Sequence, residues 1–167
     1  MNLEKFDNSL LIVGNLGELK IFKVKDELDI SHKDDFHTSH KHHKGKLVEH
    51  LSFNELCDEE FIESHKKLSE LVTDKQGHFE GKFGSESGDG PKIELEIEEK
   101  LIDLISKQIN SVLAKESYKR WYFVFDKEYA NRILNKIDDT YKSKLAKAIE
   151  ENLVKKAPQE IVEEFLD

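Results

Sequence analysis

Cysteine is almost missing from this chain. Cys57 is the only one in 167 residues, so no intramolecular disulfide can form, which fits a reducing compartment. Long apolar runs are missing too. Near the start the longest is Leu10-Leu11-Ile12-Val13, far short of the roughly 20 residues of a membrane helix and of most signal-peptide cores. Residues 1–9 carry acidic Glu4 and Asp7, where a secretory leader is basic. The expectation is a cytoplasmic protein with no membrane partner. Positive charge is in deficit: 26 Lys and Arg stand against 35 Asp and Glu, a net charge of -9. That balance argues against broad attraction to nucleic acid or anionic lipid. It leaves room for local basic patches at Lys66/Lys67, Lys142/Lys144/Lys147 and Lys155/Lys156, although the ordinary reading of such lysines is a solvated helix face.

What is present suffices for a core. Apolar residues make up 37% of the chain and charged residues another 37%, and the length fits one domain spanning residues 1–167. Leu10 to Val13 reads as a buried strand, Asn15-Leu16-Gly17 as a turn, and Leu19 to Val24 as a second strand, a hairpin signal. Residues 26–46 form a polar, flexible segment. Leu47 to Phe53 is expected as a third strand. Asn54 to Val72 reads as a helix, because Cys57, Phe61, His65, Leu68 and Val72 recur at spacings of three and four. Five of the eight glycines fall between Thr73 and Pro91, which marks 77–90 as a flexible Gly/Ser-rich loop. Pro91 and the acids that follow suit a helix start, and the period predicts a helix over 92–114. Trp121 to Phe125 is the best central strand. Tyr129 to Ile137 and Tyr141 to Ala148 suit short helices, Ile149 to Val154 an edge strand, and Pro158 opens a last helix that packs through Ile161, Val162 and Phe165. The sum is an α/β fold, a mixed sheet of about five strands with flanking helices.

Three clusters invite chemistry. The first is His32, His37, His40, His42 and His43, with His50 nearby. His37, His40 and His42 are the candidate metal ligands, and Asp34 or Asp35 a candidate carboxylate. No His-Glu-x-x-His pattern occurs, and Phe36 is the only large apolar residue between Ile30 and Leu47 to hold ligands in place. The expectation is adventitious metal binding, with no cofactor. The second is Gly84-Ser85-Glu86-Ser87-Gly88, which is neither a Walker motif, a dinucleotide fingerprint nor a nucleophile elbow. The third is Asp126, directly after the expected central strand. It is the one candidate catalytic residue, since α/β sheets place functional groups at strand ends; its ordinary reading is a helix cap. Cys57 reads as packing.

Longer phrases carry a resemblance. These are Leu11-Ile12-Val13-Gly14-Asn15 followed by Leu19-Lys20-Ile21-Phe22, then Thr73-Asp74-Lys75-Gln76-Gly77-His78-Phe79, the helix at 92–114, the strand and short helix from Trp121 to Ile137, and Asn152-Leu153 before Ala157-Pro158-Gln159-Glu160-Ile161. Over most of its length the chain resembles the host attachment protein family, bacterial and archaeal relatives of the central domain of eukaryotic-type peptide release factors. The resemblance implies an RNase H-like sheet and binding residues at Asn15, Asp74, Lys75 and His78. Asn15 stands where the family often has Asp, and Lys75-Gln76 replaces its usual Arg-Pro. The Gly-Gly-Gln tripeptide of the peptide-releasing relatives is absent, so peptide release is not carried over.

Three functions follow as expectations. The first is a non-enzymatic binding or adaptor domain with a protein or ribonucleoprotein partner, which the release-factor resemblance ties to the translation machinery. A coherent basic face in the fold would favour it. The second is a metal-assisted hydrolase built on the histidines and Asp126. The third is an adhesion-related protein, as the family name implies.

Overall fold

The computed structural model describes residues 3–27, 50–61, 66, 70 and 90–166. A 3-10 turn at Leu3–Phe6 leads into strand β1, Ser9–Gly14, every residue of which is buried. Asn15 to Gly17 reverses the chain into β2, Glu18–Asp26. Strand β3 is Leu51–Glu60. Helix α1, Gly90–Lys115, crosses to β4, Arg120–Phe125. Helices α2, Lys127–Leu134, and α3, Asp139–Lys142, return the chain to β5, Leu145–Ile149. Helix α4, Pro158–Leu166, comes last.

The strands form one sheet in the order β3-β2-β1-β4-β5. Antiparallel pairing joins β1 to β2 and β2 to β3, while β4 lies parallel to β1 and β5 parallel to β4. This is the expected mixed sheet of about five strands with helices against it. Period-2 alternation sorts its side chains onto two faces. Leu10, Ile12, Leu19, Ile21, Trp121 and Phe123 join Leu101, Ile105 and Ile109 of α1 in one core. Leu11, Val13, Phe22, Val24, Tyr122 and Val124 join Phe6 and Ile161, Val162 and Phe165 of α4 in the other. Each fully buried aliphatic side chain contributes on the order of 1.5–3 kcal/mol, so the β1–β4 ladder, filled on both faces, holds the fold together. Phe123 stacks on Phe125 at 5.5 Å, and Tyr122 meets Phe165 edge-on at 5.1 Å.

Three expectations need correction. The helix expected from Asn54 is strand up to Glu60. Cys57 points inward from β3, opposite Ile21, and Phe61 is buried just past the strand, where its N–H donates to the Gly17 carbonyl at 2.7 Å. A spacing of four thus came from an inward strand position and the residue after the strand's end. Lys66 and Glu70 are helical; the rest of 62–72 lies outside the described residues. Of the strand expected over 47–53, Leu51 to Phe53 open β3 and His50 is a turn residue; 47–49 lie outside the described residues. At the other edge, the helix expected over 141–148 ends at Lys142, and the edge strand is Leu145–Ile149 rather than 149–154. Register shifts at Ile21/Phe22 and at Trp121/Tyr122 interrupt strict alternation in both edge strands, which removes the usual strand signature. Of the polar segment 26–46, only Asp26 and Glu27 are described. Of the loop 77–90, only Gly90 is, as the first residue of α1.

Candidate functional site

The parallel strands β1 and β4 give the sheet a direction, and an open α/β sheet offers its carboxyl ends to ligands. Two of the sequence-derived candidates meet there. Asn15 follows β1, Asp126 follows β4, and the Asp126 N–H donates to the Gly14 carbonyl at 3.3 Å. The approach is close enough that a Cβ on Gly14 would sit 2.8 Å from Cε2 of Phe125 and 3.0 Å from the Glu18 carbonyl oxygen. Glycine is therefore required there for space.

Both polar side chains are committed to the backbone. Asn15 Oδ1 accepts from the Gly17 N–H at 2.7 Å and from the Glu18 N–H at 2.8 Å, and its Nδ2 donates to Asn152 Oδ1 at 3.2 Å. This is an Asx turn closing the β1–β2 hairpin. An aspartate could accept the same two amide bonds but could not donate to Asn152. Asp126 Oδ1 accepts from the Glu128 N–H at 3.1 Å and is the N-cap of α2. Glu18 lies between Lys20 at 3.6 Å and Lys155 at 3.8 Å. Tyr129, in the first turn of α2, donates to Glu98 of α1 at 3.2 Å. Burial, with Glu98 next, pushes its phenol up to about 12. Arg132 one turn on pairs with Glu98 and Glu99, and Lys136 with Asp103 at 2.7 Å. The carboxyl end is thus a set of caps and ion pairs that locks α1 and α2 to the sheet.

The opposite end has a different chemistry. Lys115 and Lys119 flank the α1–β4 junction, Arg120 opens β4, and Lys142 and Lys144 precede β5. The Trp121 N–H donates to the Lys144 carbonyl at 3.0 Å, and the Lys119 N–H to the Asn8 carbonyl at 2.7 Å. Trp121 Nε1 donates to the Tyr141 carbonyl at 2.7 Å. Lys144 Nζ lies 5.1 Å from the ring centre of Tyr118, a buried tyrosine whose hydroxyl donates to the Leu113 carbonyl at 2.9 Å. Lys115, Lys119, Lys144 and Lys147 are exposed. Lys23 acts as an internal strut: its ammonium donates to Asn8 Oδ1 at 2.5 Å and to the Ser117 carbonyl. Burial, then Lys25, holds it below the usual lysine range. A polar hollow of about 620 Å³ adjoins this end and includes Lys25, Asn54, Glu27 and Glu116 in its lining.

Cys57 has no catalytic setting. Gln108 Nε2 lies 3.8 Å from its sulfur, and burial, followed by Glu59, pushes the thiol up, the reverse of an activated thiol. Among the described residues no group of three or more His, Cys, Asp or Glu is arranged to hold a metal ion. The candidates His37, His40, His42, Asp74, Lys75 and His78 lie outside the described residues. The cationic end was only partly visible in the sequence. Lys142, Lys144 and Lys147 form a readable run, but Lys119 and Arg120 join it only through the parallel pairing of β4 with β5. No helix among the described residues is long and apolar enough to cross a membrane.

No curated protein and no solved structure matches the chain significantly. One family does, over residues 11–164, which takes in the hairpin, both sheet ends and nearly all of α4. The chain belongs to the host attachment family, described as proteins required for attachment to host cells.

Proposed function

We propose that this chain is a non-enzymatic binding or adaptor domain of the host attachment family, with a ribonucleoprotein partner associated with translation. One observation carries the non-enzymatic part. The polar groups at the carboxyl end of the parallel strands, where catalysis would be sought, serve as caps: Asn15 satisfies two backbone amides and Asn152, and Asp126 caps α2. A general base or nucleophile also works with an activating or orienting neighbour; Asp126 keeps a carboxylate oxygen beyond its cap bond but has no ion pair among the described residues. The translation link rests on the resemblance to the release-factor central domain, and the mixed order β3-β2-β1-β4-β5 agrees with an RNase H-like reading. Binding residues at Asn15, Asp74, Lys75 and His78, and a cytoplasmic site of action, belong to the same proposal. The family's requirement for host attachment is read as acting through a partner rather than as direct adhesion.

Affinity capture from native lysate, with and without ribonuclease, tests this. The expected result is a ribonucleoprotein that co-purifies and is lost on ribonuclease treatment. Capture of the same proteins in both arms would replace the ribonucleoprotein partner with a protein one. Turnover that is abolished by Asp126→Asn would overturn the non-enzymatic reading.

A further inference from the structure

The geometry points to the amino end of the parallel strands as a docking surface for the phosphodiester backbone of structured RNA. The inference rests on the ribonucleoprotein reading and locates the contact. Lys115, Lys119, Arg120, Lys142 and Lys144 come from three separate stretches of sequence. The pairing of β4 with β5 and the Trp121–Lys144 backbone bond bring them to one rim. The acids at this end are Asp139, which pairs with Lys142 at 3.7 Å, Asp138 beside it, Glu116 and Glu27, which line the adjoining hollow with Lys23 and Lys25, and Asp7 and Asp26, joined by the Asp26 N–H to Asp7 Oδ1 bond at 2.9 Å. With Lys5, Lys23 and Lys25 these cations number eight against six acids, so this end is mildly positive on a chain of net charge -9, and Lys115, Lys119 and Lys144 are its exposed cations.

Its chemistry selects the partner. A protein interface has an apolar or aromatic centre, and the large apolar residues exposed among those described, Leu95 and Leu104, lie on α1 away from the α1–β4 junction. Single-stranded RNA is held by stacking on aromatic faces. Tyr118, which would be the platform, is buried with Lys144 over its ring. What remains are cations with no exposed aromatic platform beside them, which suits phosphates on a duplex read by shape and charge. Such binding is sequence-independent and strongly salt-dependent.

The test is fluorescence anisotropy of a labelled RNA duplex titrated with the full chain at about 50 and about 200 mM salt. Wild type is compared with a Lys119→Glu/Lys144→Glu double variant. A Lys100→Glu/Lys155→Glu variant makes the same net-charge change at the other end of the sheet. Circular dichroism checks that each is folded. The expected result is micromolar affinity at low salt, a loss of at least about tenfold in the rim variant, and a salt slope shallower by about two, roughly one per phosphate contact. The control variant keeps most of the affinity and the full slope. Absence of saturable binding at low salt, equal losses in the two variants, or equal binding of polyglutamate would each overturn the assignment. The two readings fail separately: capture of a ribonucleoprotein without duplex affinity removes the rim alone, and duplex affinity without ribonuclease-sensitive capture removes the translation partner alone.

Discussion

The two ends of the β1–β4 pair use polar residues in opposite ways. At the carboxyl end, Asn15, Asp126, Glu18 and Tyr129 are tied to backbone amides, to cations or to another helix. At the amino end, Lys115, Lys119 and Lys144 are exposed on a rim whose backbone is fixed by Trp121 and Asn8. Buried or part-buried polar groups are costly when unpaired, so the end that packs against α1 and α2 pairs its own. Exposed lysines carry little stability and are free to meet a partner. Polar residues in the first place maintain the fold; in the second they are available for recognition.

The largest break in this comparison is steric. Gly14→Val forces a side chain against Phe125 and the Glu18 carbonyl, and overpacking of this kind costs about 1–3 kcal/mol. Urea unfolding should show it as a lower midpoint with an unchanged slope. Asn15→Ala strands two amides and is expected to cost about 1–2 kcal/mol by the same measurement. Asn15→Asp, which keeps the acceptor and loses the donor to Asn152, should cost less. Asp126→Ala removes one cap and should cost about 1 kcal/mol.

A pH effect sharpens the same contrast. The Tyr129 phenol is raised to about 12 from an ordinary 10. The folded state therefore holds this proton where the unfolded state has released it. Its contribution is complete below pH 10 and is lost as pH rises toward 12. Tyr129→Phe should flatten the alkaline limb of the stability profile between those values. A limb unchanged by the substitution would assign the alkaline loss to other groups. The smallest effects belong to the amino end: Lys119→Glu or Lys144→Glu should move stability by no more than about 0.5 kcal/mol. Elemental analysis of tag-free protein should find no stoichiometric metal, and a chelator should leave the melting temperature unchanged. One tightly held metal per chain would instead bring back the histidine-based hydrolase.

Much of this architecture was legible in the sequence, and the illegible parts share a cause. The hairpin showed because Asn15 and Gly17 punctuate two apolar runs. Helix α1 and strand β4 showed because their periods are unbroken, and the cap at Asp126 because an Asp between a strand and a helix usually is one. The strands missed or misplaced, β3 and β5, are the sheet's two edges. Each faces solvent along one side, tolerates Glu55, Asp58 and Glu59 or Lys147, and has a register shift against its neighbour. Alternation fails there, and the leftover spacings of three and four mimic a helix. The site divided similarly. Asn15 and Asp126 were visible as residues next to strands. Their contact through Gly14, and the gathering of Lys119 and Arg120 with Lys144, depend on parallel pairing across long stretches of chain, which local patterns do not encode.

The division of labour between the two ends is tested most directly by measuring stability and duplex affinity together on two variants, Asn15→Ala and Lys119→Glu/Lys144→Glu. The account predicts a crossed result. Asn15→Ala unfolds at lower urea and binds the RNA duplex as wild type does. The lysine variant unfolds where wild type does and binds at least about tenfold more weakly. Loss of binding in Asn15→Ala at full folding, or wild-type binding in the lysine variant, would contradict it.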